Sequence, residues 1–326
     1  MKQGKLTTLL VVAGGSLVAC EGETSMLDPR GPGAAGIEGL WWVVFWIATA
    51  VFLVVLAFLG VALWRARRDV EVKPHVRWGE PFIVIAGVVL PAIILVTVFL
   101  LSLRDIQDLT RTSRATTFEI EVIGHDWWWE VRYPNGGVTA NEMHIPTGEP
   151  VRLKLRSADV IHSFWVPRLQ AKTDQVSGRV TSSWIQADEP GRYRGLCAEF
   201  CGLQHANMQF YVVAEPQARF DRWMDELAQP STISADVEEG RDVFLETTCV
   251  GCHAIAGTPA DATAGPDLTH LADRETLFAG TVSNTTRNLE TVITDPQAIK
   301  PGVAMPPTEL SSEELDALVA YLEQLE

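Results

Sequence analysis

Cysteine is scarce in this chain, and basic side chains are scarce in its last third. Five cysteines occur in 326 residues: Cys20, Cys197, Cys201, Cys249 and Cys252. They fall as one singleton and two close pairs, so once each has the task argued below none remains for a structural disulfide. Residues 1–214 carry 20 acidic and 20 basic side chains, whereas residues 215–326 carry 21 acidic against 6 basic, which is the whole of the −15 net charge. Such a field repels phosphate and argues against nucleic-acid binding. It can steer a basic soluble partner, although plain solubility explains it equally well. Methionine is also rare there, Met305 being the only one after Cys249.

Apolar length, by contrast, is abundant near the N-terminus. Met1-Lys-Gln-Gly-Lys5 is a short basic start, and Leu6 to Ala19 is mostly apolar but too short to cross a bilayer, so residues 1–19 read as a secretory signal. Its end, Leu17-Val-Ala-Cys20, resembles the bacterial lipobox, which implies a lipidated Cys20; the plainer reading is a small residue at an ordinary cleavage site. Residues 20–38 follow as an extracytoplasmic segment. Gly39–Trp64 and Pro81–Leu103 are uncharged runs, each longer than the roughly 20 residues that span a bilayer, and predict a hairpin over 39–104 with helices at about 40–63 and 81–103. Pro91 is expected to kink the second helix. Arg65, Arg67, Arg68, Lys73 and Arg77 place the connecting loop on the cytoplasmic side, so everything from Arg104 onward lies outside.

From Phe118 the pattern changes to period two. Phe118, Ile120 and Val122 alternate with Glu119 and Glu121, and Val151, Leu153 and Leu155 alternate with Arg and Lys. With turn clusters at Pro134–Gly137 and Glu189–Gly191, this predicts an all-β, antiparallel sandwich within 105–215. Just before its last strand stands Cys197-Ala-Glu-Phe-Cys201-Gly-Leu-Gln-His205-Ala-Asn-Met208. Thiolates, imidazole and thioether at this density are soft donors, which select copper over magnesium, calcium or manganese. Two thiolates sharing copper need a further imidazole, and the upstream candidates are His125, His144 and His162. His162, set among bulky apolar neighbours, taken alone reads more often as a satisfied core residue.

Residues 216–235 contain Pro216, Pro230 and a short amphipathic helix from Phe220 to Leu227, and read as a linker. A helix from Val237 then leads into Cys249-Val-Gly-Cys252-His253, the pattern of covalent c-type haem attachment, with His253 beneath the iron. Zinc would want a second ligand pair, and later residues offer only His270. Met305, in Pro301-Gly-Val-Ala-Met-Pro-Pro307, is the expected sixth ligand, since Met/His ligation raises cytochrome c potentials. Gly265-Pro-Asp-Leu268 resembles the class I cytochrome c segment beside the proximal histidine. Ser311 to Glu314 forms a capping box before Leu315, Leu318, Val319, Leu322 and Leu325 on one helical face, which completes a small all-α domain over 236–326.

The sequence Asp159-Val-Ile-His162-Ser-Phe with Pro167, the loop from Cys197 to Met208, the hairpin and the aromatic segment Gly124–Trp129 together resemble subunit 2 of haem–copper cytochrome c oxidases, over roughly residues 40–215. With a fused cytochrome c domain the chain resembles the caa3 type. The resemblance implies a cupredoxin domain holding binuclear copper A. Cys197 and Cys201 would bridge two coppers, His162 and Met208 would complete one, and His205 with the Glu199 carbonyl the other. It also implies a magnesium ion at the Glu199 side chain on the border with subunit 1. Trp127 would receive electrons, and Glu80 would stand near the cytoplasmic mouth of a proton path. Trp127 could instead be core packing or part of an interfacial belt, and Glu80 could merely favour a helix N-terminus. The family's usual Gln-Trp-Tyr-Trp is Asp126-Trp-Trp-Trp129 here.

The implied function is electron input to a respiratory oxidase of the bacterial plasma membrane, coupled to proton pumping. The donor would be cytochrome c or a quinol–cytochrome c reductase, and the neighbours subunits 1 and 3 and membrane lipid. Electron input to a copper-A nitric oxide reductase is the nearest alternative. A copper chaperone would not need His205, Met208 and a fused haem domain, and quinol-oxidase subunits lack these copper ligands.

Overall fold

The computed structural model describes residues 22–68, 76–110 and 118–326. The signal stretch, Cys20 and Lys73 lie outside the described residues. Two compact units are present: one of residues 35–111, and one of residues up to Ala34 together with those from Thr112.

The first unit contains two helices long and apolar enough to cross a membrane, Pro32–Ala66 and the stretch Gly79–Thr110. At 1.5 Å per residue the 35 residues of the first extend about 52 Å, well beyond a hydrocarbon core of about 30 Å. Helix therefore starts before the apolar run, at Pro32, whose fixed φ suits a first helical position. The second stretch is irregular: α-helix over Val76–Val84, a π turn over Ile85–Val89, then α-helix over Leu90–Thr110. Pro91 cannot donate a backbone hydrogen bond, and the widened turn just before it is a recognised way to take up that loss.

In the second unit ten strands make two five-stranded sheets. They are β1 Glu119–His125, β2 Trp128–Arg132, β3 Val138–Ala140, β4 Glu142–Pro146, β5 Val151–Ser157, β6 His162–Trp165, β7 Thr173–Gln175, β8 Thr181–Ile185, β9 Gly191–Cys197 and β10 Gln209–Glu215. The sheet orders are β3-β2-β1-β5-β8 and β4-β10-β9-β6-β7. Alternation does its work here, since Ile120 and Val122 of β1 and Val151, Leu153 and Leu155 of β5 are buried in one core with Trp129, Phe164 and Phe210. The sandwich is not wholly antiparallel as expected. β1 runs parallel to β5, and β10 parallel to β4. A two-residue side-chain period reports which face is buried but says nothing of strand direction.

The helix Gln217–Leu227 buries Phe220 and Leu227 in the sandwich core, with Phe118 and Phe220 rings 5.5 Å apart. The linker expected over 216–235 is thus narrower, because an amphipathic helix lays its apolar stripe on the nearest open core. A separate core follows, formed by Phe244, Ile255, Leu289, Ile293, Leu318, Val319 and Leu322 among others. Its main helices are Glu238–Glu246, Thr286–Thr294 and Ser312–Leu322. The last begins with a complete capping box, Ser311 and Glu314 each accepting a hydrogen bond from the other's backbone N–H.

Candidate metal and haem sites

β9 ends on Cys197 and β10 starts at Gln209, and the two strands pair antiparallel with Gln209 opposite Leu196. The loop between them is therefore clamped at both ends, and Cys197 N–H donates to the Met208 carbonyl at 3.0 Å. β6 flanks β9 with Phe164 opposite Cys197, which sets His162 against the loop. The result is a tight group of donors. Cys197 Sγ lies 3.7 Å from Cys201 Sγ and 4.0 Å from His162 Nδ1. Cys201 Sγ lies 3.6 Å from His205 Nδ1 and 3.7 Å from Met208 Sδ. The Glu199 carbonyl is 3.2 Å from Cys197 Sγ. All six donors named from the sequence thus meet at one place, and His162, Cys197, Cys201 and Met208 are buried.

The surroundings hold the donors in orientation. Gly202 has φ +115°, and a Cβ there would sit 3.2 Å from the Trp127 ring, so only glycine allows the chain to turn directly after Cys201. The Trp127 indole N–H donates to the Cys201 carbonyl at 2.9 Å. His162 Nε2 meets Asp159 Oδ1 at 2.7 Å, while Asp159 Oδ2 accepts from the Asp126 backbone N–H at 2.7 Å. Asp159 is a site residue that sequence reasoning did not assign a role; the signal was an aspartate three positions before the histidine. Burial pulls the His162 pKa down, but hydrogen bonds to Asp159 and Cys197 outweigh it and raise it to about 9. A hydrogen bond from Cys201 lowers Cys197 to about 3, and that same bond together with burial pushes Cys201 up. Two thiolates this close repel, so the pair keeps one proton unless cations sit between them. The donor chemistry, two sulfurs flanked by two imidazoles and a thioether, fits copper.

The other upstream histidines are occupied elsewhere. His125 pairs with Glu130 at 2.9 Å and stacks on Trp128, and His144 lies between Glu142 and Glu215 and stacks on Trp223. The Glu199 side chain is half-buried and belongs to neither ligand cluster found among the described residues. Glu80 is exposed near the start of the second long helix.

In the helical domain Cys249, Cys252, His253 and Met305 all line one largely apolar cavity, walled also by Leu268, Leu289 and Ile293. His253 Nδ1 lies 2.7 Å from the Pro266 carbonyl and donates to it, which leaves Nε2 as the nitrogen with a free lone pair. Burial lowers the His253 pKa and keeps the ring neutral, as a metal ligand requires. Gly265 passes so close that a Cβ would lie 2.7 Å from the His253 ring. Two thiols, a tied imidazole and a thioether around an apolar cavity fit a covalently bound haem. The same cavity is also walled by Asp126, Trp127 and Trp128 of the sandwich. Trp127 therefore stands between the cavity and the Cys201 backbone.

These two sites match families of known proteins. Residues 137–215 match the model of the cytochrome c oxidase subunit II periplasmic domain, and residues 237–326 that of cytochrome c. A cytochrome c oxidase subunit 2 from Alkalihalophilus pseudofirmus is 38% identical over 325 residues, covering 95% of this chain and 93% of that relative. This chain belongs to the cytochrome c oxidase subunit 2 family. A second relative, from Bacillus sp. PS3, is 32% identical and covers 78% of this chain and 74% of its own length. The solved periplasmic domain of subunit II of cytochrome oxidase from Bradyrhizobium japonicum is 27% identical, covers 34% of this chain and 94% of its own, and has a TM-score of 0.34. The chain is thus a subunit of an oxidoreductase, with apolar helices, a cupredoxin-like sandwich and a cytochrome c domain in succession.

Proposed function

We propose that the chain is the electron-input subunit of a respiratory oxidase, whose haem c and copper A domains pass electrons to a partner subunit that reduces oxygen and pumps protons. The observation that carries this reading is Trp127, which lines the haem cavity and donates its indole N–H to Cys201 in the metal loop. When bound, each group supplies one-electron redox chemistry. Cys249 and Cys252 would anchor the haem covalently, and His253 and Met305 would hold its iron. Cys197, Cys201, His162, His205, Met208 and the Glu199 carbonyl would together hold the coppers. Asp159 keeps the His162 ring oriented toward the sulfurs. A loop clamped between paired strands holds its donors alike in both charge states, which keeps reorganisation small.

Trp127 is the electron-input residue in this reading, serving the fused haem domain rather than an external donor. Glu80 would assist a proton path, so Glu80→Gln should slow turnover while both metal spectra persist; unchanged turnover removes that role. The Glu199 side chain is the proposed magnesium ligand at the border with subunit 1, checked by magnesium content in Glu199→Gln. The domains proposed are the hairpin over 39–104, the copper domain from 105 through the Gln217–Leu227 helix, and the haem domain from 236. The chain would sit in the bacterial plasma membrane beside subunits 1 and 3, with both redox domains outside and Cys20 lipidated. The deciding experiment purifies the complex and measures copper, haem and consumption of oxygen against nitric oxide. Oxygen uptake with copper A and covalent haem c present is expected; nitric oxide uptake alone would overturn the oxygen assignment.

A further inference from the structure

Residues 215–326 contain a single lysine, Lys300, in a stretch where acidic residues outnumber basic ones 21 to 6. Lysine is almost never fully buried without a partner charge. Lys300 is only 1% exposed. Its Nζ donates to three backbone carbonyls: Trp127 at 2.7 Å, Asn207 at 2.8 Å and Phe278 at 3.2 Å. Two of the three belong to the sandwich, one on the tryptophan between the two sites and one beside Met208 in the metal loop. A group with three donors and no acceptor fills this position as no uncharged side chain of similar length can.

The surrounding backbone is shaped to the same contact. Phe278, Ala279 and Gly280 have φ of 50°, 57° and 74°, three successive residues in the left-handed region, two of them not glycine. Such a run costs energy and persists only where neighbours hold it. Here the Phe278 carbonyl accepts from Lys300, and the Ala279 carbonyl accepts from the Gln209 backbone N–H at 3.1 Å. On the far side of Lys300, the Gln204 side chain of the metal loop donates to the Pro301 carbonyl at 2.6 Å.

We infer that Lys300 is a positioning residue that locks the haem domain onto the metal loop, holding Trp127 in the place from which the electron crosses. This rests on the relay reading above. The haem domain is then seated rather than swinging on its linker, and one side chain sets the spacing of both redox sites. The metal loop gains a fixed outer wall at Asn207, and Trp127 is gripped at its indole by Cys201 and at its carbonyl by Lys300.

The test uses the purified full chain in its complex. Haem c is reduced by a flash-excited ruthenium reductant, and its reoxidation by copper A is followed optically. Lys300→Met keeps the stem and removes every donor. The expected result is slower haem reoxidation by roughly tenfold or more, because the hydrogen bonds that tie Trp127, Asn207 and Phe278 to one side chain are lost together. Copper and haem spectra should be unchanged, as should reduction of copper A by a small reductant that bypasses the haem. An unchanged haem-to-copper rate with intact spectra overturns the inference. Wild-type protein lacking copper A absorbance would instead overturn the relay reading itself. Should Lys300→Met not fold, amine acetylation of the native wild-type protein decides. Lys300 should resist modification while exposed Lys172 reacts, and equal reactivity of the two overturns the inference.

Discussion

In the sandwich, Cys197, Cys201 and Met208 are members of the apolar core, packed in one cluster with Trp129, Phe164 and Phe210. In the helical domain, Leu289, Ile293, Leu318 and Leu322 are at once core and cavity wall. A sulfur embedded in a filled core stays placed whether or not metal is bound. An apolar wall around a cofactor cavity takes the dispersion contacts of that side from whatever fills the cavity. The strands therefore position the donors in the copper domain, whereas in the haem domain a bound cofactor would supply part of the core. The first would bind into a preformed site; the second would fold around its group.

The largest expected effect separates the two domains directly. Cys249→Ala with Cys252→Ala removes covalent attachment, and calorimetry of the full chain should then lose the haem domain's cooperative transition while the copper domain's remains. Cys201→Ser should do the reverse to function and nothing comparable to folding. Its copper absorption disappears, yet the sandwich still melts cooperatively. An unchanged copper spectrum in Cys201→Ser would sink the ligand assignment. Loss of the sandwich transition there, with both transitions kept in the haem variant, would invert the comparison.

The same contrast explains what could be read from residues alone. Both dense donor clusters were legible because each places its members within a dozen positions: Cys197 to Met208, and Cys249 to His253. Short spacing survives any fold that keeps the loop local. His162 was legible only by family resemblance, since its approach depends on β6 pairing with β9. Strand direction was not legible, and β1–β5 and β4–β10 proved parallel. Lys300 carried no signal except its solitude in an acidic domain, because its burial is decided by carbonyls distant in sequence. The helix Gln217–Leu227 was found, but its stripe could not say which domain it would cover.

Intermediate effects should come from one aromatic in each core. Trp129 is fully buried, with its ring 5.1 Å from Phe210 and 5.9 Å from Phe164. Phe244 is 1% exposed, lines the haem cavity and packs 6.3 Å from Tyr321. Truncating either to alanine should cost about 3–5 kcal/mol, confined to its own domain. The comparison sharpens in the apoprotein. There the haem domain has no cooperative transition for Phe244→Ala to lower, so the change should have no measurable cost, whereas Trp129→Ala should cost the same with and without copper. Equal penalties for Phe244→Ala in both forms would mean that the haem adds nothing to that core.

The smallest effect tests whether the haem domain has local stability of its own. Ser311 caps the terminal helix, its side chain accepting from the Glu314 N–H at 3.2 Å while Glu314 accepts from the Ser311 N–H at 2.8 Å. That helix supplies Leu318 and Leu322 to the cavity wall and Tyr321 to the core. Ser311→Ala removes one half of the box and should cost about 1 kcal/mol. For a domain of this size that is a fall in melting temperature of about 4–8 °C. Because the helix is fixed by burial of Leu318, Val319 and Leu322 as well as by its cap, haem content and spectrum should not change. Thermal melts followed at the haem absorption and by far-ultraviolet circular dichroism would then shift together. If the haem signal fell first, the cap would be controlling the cavity rather than only the helix end, and the haem domain's wall would be softer than its buried leucines indicate.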